Sequence, residues 1–177
     1  EFPRNPKLNG PTVLHSYAPE RINKENPEQS STTLSLIMFG PTKTEEDSYA
    51  TTMLTSILGG DSTSRLFTSV SQIKGLAYGI NAGYSGNNNK GLISIEGNIK
   101  SIKVDEAIDT IFEEMSKLQT DLVPKESLDR IKKNVRYSIA RTFETNAGHV
   151  DAIETIMDTG LTPEYHLKKM GEVTPEK

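Results

Sequence analysis

The chain contains no cysteine. Disulfides, thiolate nucleophiles and every Cys-containing zinc or iron-sulfur site are therefore excluded, while the compartment stays open, because oxidising and reducing environments both host proteins without Cys. Long hydrophobic runs are missing too: nothing approaches the roughly 18 apolar residues of a membrane helix, and the densest stretch, 34–39, has the length of a strand. The first residues do not combine a basic flank, an apolar run and a small-residue cleavage site. A strong charge of either sign is also lacking, since 20 Lys and Arg against 24 Asp and Glu leave a net charge of −4. That is the wrong sign for generic nucleic-acid binding, so neither nucleic acid nor membrane is an expected partner.

Histidines number three, His15, His149 and His166, and none lies four residues from another. No local zinc motif is encoded, and His149 beside Asp151 and Glu154 reads as a capping or solvent-facing residue. A Gly-x-Ser-x-Gly elbow and a phosphate-binding glycine-lysine loop are both absent. What remains, at a mean hydropathy of −0.50 over 177 residues, is the composition of a globular domain able to bury about two-thirds of its unfolded surface.

Five of the nine prolines fall in the first thirty residues, where only 12–17 reads as a strand. From Ser30 the pattern changes. Leu34, Leu36 and Met38 alternate with Thr33, Ser35 and Ile37 as in a half-buried strand closed by Gly40-Pro41. Thr44 with Asp47 three residues on marks a helix start, and Ala50, Met53, Leu54, Ile57 and Leu58 follow the helical period. Gly59-Gly60 supplies a residue able to take positive φ at its end. The segment 65–70 forms two or three helical turns closed by Gly75. Residues 76–85 then alternate, with Tyr78, Ile80, Ala82 and Tyr84 on one face; the glycines on the other face are those of a strand approached closely by a backbone or a ligand. A polar turn, 87–91, joins this strand to 92–99, where Ile93, Ile95 and Ile99 share a face, and the two make an antiparallel hairpin.

The second half is helical. Val104, Ile108, Ile111, Met115 and Leu118 form one apolar stripe, and Leu128, Ile131, Val135, Ile139 and Phe143 a second. Val150, Ile153 and Met157 predict a third helix ending near Gly160, and Pro163 opens a fourth carrying Leu167 and Met170. Thr174-Pro175-Glu176 is one more helix start. The order of elements predicts an α+β domain, an antiparallel sheet with helices packed on one face. It spans 1–177 as a single domain, with 1–11 an extended lead-in and the chain cut before its last helix.

Three segments carry a resemblance. Leu58-Gly59-Gly60, then Ser64-Arg65-Leu66-Phe67, then Gly75-Leu76-Ala77-Tyr78 are arranged as in the pitrilysin and insulinase type zinc metallopeptidases, a family that includes the mitochondrial processing peptidase. The likeness runs from about Thr12 to the end and takes in Val123-Pro124-Lys125-Glu126 and Val173-Thr174-Pro175-Glu176. Such enzymes are built from similar α+β halves, the catalytic one carrying His-x-x-Glu-His. That motif is absent here. The resemblance therefore implies that 1–177 is the single non-catalytic half, with a final helix and strand missing after residue 177 and without a cofactor of its own, acting beside a zinc-bearing half in the same chain or a partner subunit within a hetero- or homo-oligomer. It also implies an extended peptide as the bound substrate, held across a shared chamber.

In the family an Arg and a Tyr seven residues apart reach the substrate carbonyl. Tyr78 matches the Tyr, but the Arg position holds Ser71, and a hydroxyl replaces neither the charge nor the forked donors of guanidinium. Lys74, three residues on, can share a helical face with Ser71 and is the candidate for a substitute cationic contact. Gly59, Gly60, Arg65 and Gly75 belong to the structural motif, with Arg65 bracing its loop. The alternative implied by Ser71 is an inactive family member with a structural or assembly role.

Overall fold

The computed structural model describes residues 19–24, 26 and 28–175. The expected strand at 12–17, His15, Glu176 and Lys177 lie outside the described residues. Within them three antiparallel strands form one sheet: β1 (Ser31–Gly40), β2 (Ala77–Gly86) and β3 (Gly91–Lys100), in the order β1-β3-β2. The hairpin forms because Asn87 closes its turn, accepting on Oδ1 from the amides of Asn89 and Lys90, each at 2.9 Å. Its own carbonyl accepts from the Lys43 amide at 2.9 Å and ties the turn to the loop after β1.

Five α-helices follow the pattern of the sequence: α1 (Asp47–Gly59), α2 (Val104–Thr120), α3 (Lys125–Thr142), α4 (Asn146–Thr159) and α5 (Pro163–Glu172). Between α1 and β2 the chain winds as a π helix, Phe67–Ile73, whose last turn is closed by Lys74 N–H donating to the Ser69 carbonyl at 3.1 Å. One face of the sheet is dry. Leu34, Leu36 and Met38 of β1, Ile80 and Ala82 of β2, and Ile95 and Ile99 of β3 pack there against Leu58, Leu66, Val70, Ala107 and Ile111. Each fully buried Leu or Ile contributes roughly 1.5–3 kcal/mol. A second apolar cluster lies on the far side of α1, where Tyr49, Met53 and Ile57 meet Leu128 and Ile131 of α3 and Val173 just past α5. The molecule is therefore an α+β domain with helices on one face of an antiparallel sheet. Among the described residues no helix is long and apolar enough to cross a membrane.

Four expectations are corrected. The first helix starts at Asp47 and not beside Thr44, because Thr42 N–H donates to the Glu45 carboxylate at 3.1 Å and holds 42–45 as a separate turn. Gly59 and Gly60 do not take positive φ; Gly60 sits at φ −79°. Gly59 is instead demanded by packing, since a Cβ there would stand 2.3 Å from the Ala82 amide nitrogen and 2.7 Å from its Cβ. The left-handed residue of this region is Gly75, at φ +58°, where the π helix turns into β2. The stripe Val150, Ile153 and Met157 faces solvent, 61, 57 and 82% exposed, while Ala152 and Ile156 turn toward α3.

Arg65, finally, makes no ion pair among the described residues. The loop after α1 is braced from α3, where Arg130 pairs with Asp61. Asp61 also accepts from the Thr63 amide and hydroxyl at 2.8 and 2.7 Å. Burial alone would raise this carboxyl, but the hydrogen bonds from Thr63 and Arg130 hold it below the usual carboxylate range.

Candidate functional site

The face of the sheet turned away from the helices carries the candidate site. Its residues alternate with the buried ones: Thr33, Ser35 and Ile37 from β1, Ser94, Glu96 and Asn98 from β3, and Gly79, Asn81 and Gly83 from β2. A Cβ at Gly79 or Gly83 would meet nothing within 4 Å, so the β2 part of this face is both bare and open. Strict alternation places Tyr78 with Ile80 and Ala82, pointing into the core. The register shows otherwise. Ala77 pairs with Ile99 and Gly79 with Asn98, leaving Tyr78 as the extra residue of a β-bulge. The bulge resets the phase, so that Ala77 and Ile80 are both buried while Tyr78, between them, is 66% exposed.

Beside it stands Lys100, the last residue of β3. Its backbone amide donates to the Leu76 carbonyl at 2.9 Å, and its Nζ lies 5.9 Å from the centroid of the Tyr78 ring. This is cation–π geometry. Lys100 was not singled out by its sequence; its place one residue beyond Ile99 puts it on the outer face, but only the bulge brings Tyr78 to the same side.

The other predicted site residues do not gather here. Ser71 lies on the π helix with its hydroxyl oxygen buried and without a hydrogen-bond partner among the described residues. Lys74 is engaged with α2, donating to Thr110 Oγ1 at 3.0 Å and pairing with Glu113 at 3.8 Å. The Glu113 carboxyl is held below its ordinary range by the hydrogen bond from Lys117, by the Lys117 charge and by that of Lys74. Gly75 positions Tyr78 from behind, as the hinge at the start of β2. The π helix, Gly75, the bulge and the end of β3 thus place one aromatic hydroxyl and one ammonium at the end of this face, next to the Gly79, Asn81 and Gly83 row of β2. Such a pair can donate hydrogen bonds to carbonyl or carboxylate oxygens. Among the described residues no three His, Asp or Glu side chains converge to hold a metal ion.

The sequence profile of the Peptidase M16 inactive domain matches residues 1–135. The chain belongs to that family. Its fold matches the crystal structure of a peptidase M16 inactive domain from Pseudomonas fluorescens at a TM-score of 0.74 and 22% identity, over 84% of this chain and 36% of that one. It also matches a chain of complex III2 from Candida albicans at a TM-score of 0.71 and 13% identity, over 85% of this chain and 39% of that one. Among curated proteins it is similar to the uncharacterized zinc protease YmxG of Bacillus subtilis, 29% identical over 97 residues, which cover 55% of this chain and 24% of that protein. This M16 inactive domain thus spans a minor part of each of these relatives.

Proposed function

We propose that this M16 inactive domain is the substrate-binding half of a zinc-dependent endopeptidase, closing a chamber over an extended peptide and acting with a His-x-x-Glu-His half in the same chain or in a partner subunit. The observation that carries the reading is the β-bulge, which spends one unpaired residue to set Tyr78 on an open face when plain alternation would bury it. A phenol there donates to a peptide carbonyl, and a donor aimed at an oxygen on which charge develops lowers a barrier most in a cavity poor in water. Zinc, held by the partner half, supplies the Lewis acid and activated water of hydrolysis. This chain's part is to orient the peptide and to donate that hydrogen bond.

Ser71 supports a second reading, that of a structural or assembly subunit. The position where the family carries its guanidinium holds a buried hydroxyl, and Lys74 is committed to α2. Tyr78→Phe separates the two readings, because it removes one hydroxyl from a solvent-facing ring and leaves the fold intact. In the assembled parent protein it is expected to lower peptide turnover by about tenfold or more, the scale of losing one transition-state donor. Unchanged turnover makes the Tyr78 hydroxyl structural, and a parent without peptidase activity in either form supports the assembly role.

A further inference from the structure

We propose that Lys100 is the specificity-determining cation of this face and that it selects peptides presenting a carboxylate next to the carbonyl bound by Tyr78. The inference rests on the reading of Tyr78 as a peptide contact. It names a residue and a substrate class which that reading does not contain.

Three observations converge. Of the cations considered for this role, Lys74 is held by Thr110 and Glu113, and the position of Ser71 supplies none. Lys100 makes no ion pair among the described residues; its ammonium is placed only against the Tyr78 ring. The acid nearest to it on the same strand face is Glu96, about 13 Å away along an extended chain. A ring face attracts an ammonium but takes up none of its three N–H donors as an oxygen would, so the donors of Lys100 remain available.

The backbone fixes the position of this charge. The Lys100 amide is bonded to Leu76, two residues before Tyr78, so the bulge and the stem of Lys100 are parts of one hydrogen-bonded unit. A peptide whose carbonyl meets the Tyr78 hydroxyl therefore passes the Lys100 ammonium in its next residues. A carboxylate there replaces water around the ammonium with a charge-assisted hydrogen bond. Its source is either an acidic side chain or the C-terminal carboxylate of the peptide, which share this chemistry.

The test uses the intact parent protein and three fluorescein-labelled peptides: one with an internal Glu and an amidated C-terminus, the same peptide with Gln in place of Glu, and the Gln peptide with a free C-terminal carboxylate. Dissociation constants are measured by anisotropy, or KM where the parent turns the peptides over. The natural protein is expected to prefer a carboxylate-bearing peptide over the Gln amide by about threefold to fivefold, the range of an exposed ion pair. Lys100→Gln should abolish this preference, Lys100→Arg should retain it, and raised salt should shrink it. Which carboxylate peptide shows the preference identifies the source. Tyr78→Phe should weaken all three peptides alike and leave the ratio unchanged. A ratio that survives Lys100→Gln while Tyr78→Phe still weakens binding overturns the role of Lys100 and leaves that of Tyr78. Absence of binding by all three peptides overturns both. Lys100 lies on the outer face away from both apolar clusters, so its variants keep the fold.

Discussion

Tyr78 reaches solvent because β2 carries one residue more than β3 can pair, and the Lys100 ammonium over its ring offsets part of the loss of burial. Other single residues here have equally definite consequences. Gly59→Ala would drive a methyl to 2.3 Å from the Ala82 amide, forcing α1 away from β2. It is expected to cost about 2 kcal/mol or more, read from the denaturant midpoint of the purified chain. Ser71→Ala acts in the other direction: it deletes a buried hydroxyl without a partner and is expected to stabilise by about 1 kcal/mol in the same measurement. At this scale the sequence is only partly legible. The glycine motif is visible, but whether a glycine serves a left-handed turn, as Gly75 does, or a close approach, as Gly59 does, depends on neighbours that are distant in the chain. The exposure of Tyr78 is not legible in the sequence, because period-two alternation carries no mark of a bulge.

At the scale of elements, α1 and α5 are joined by a hydrogen bond. The Tyr49 hydroxyl lies 3.0 Å from His166 Nδ1, which accepts from it in the tautomer protonated at Nε2. Burial, and secondly the Lys43 charge, push the His166 pKa below its ordinary value. Tyr165 and Lys169 on α5 and Glu46 beside α1 complete the polar surroundings. A histidine with a depressed folded pKa contributes stability that is present above the unfolded value, near pH 6.5, and lost as the pH falls toward the folded one. Thermal unfolding is therefore expected at progressively lower temperature as the pH drops from about 6.5. His166→Gln should flatten that slope. An unchanged slope would remove His166 from the account.

The helices themselves are legible in the sequence: α2 and α3 bury Ile111, Leu128 and Ile131 from the stripes that their spacing predicts, and α5 half-buries Met170, while Phe143 at the end of the α3 stripe is 41% exposed. The facing of α4 was not, because Val150, Ile153 and Met157 and, on the opposite side, Ala152 and Ile156 both recur at helical spacing. Substitution distinguishes the faces: Met157→Lys is expected within about 0.5 kcal/mol of the natural stability, whereas Ile131→Ala in the second cluster should cost about 2–5 kcal/mol. The sequence marks 67–73 only as helical turns, because an i→i+5 bond leaves no trace in an apolar pattern.

For the whole molecule, the order of strands, hairpin and helices specifies the architecture, because each segment declares its own apolar face and the faces have one dry side of a sheet to share. α1 is the hinge of this arrangement, with the sheet on one side and α3 and α5 on the other. The proposed peptide contact, Tyr78 with Lys100, stands on the outer face of the sheet. That division of labour, with binding in this half and metal chemistry in another, is the central claim. It is tested most directly by the zinc content of the intact parent protein, purified with whatever subunit accompanies it, measured together with the polypeptide masses. The account predicts about one zinc per assembled pair of halves, removed together with peptidase activity by a chelator. A parent that carries no zinc and co-purifies with no zinc-bearing subunit contradicts it.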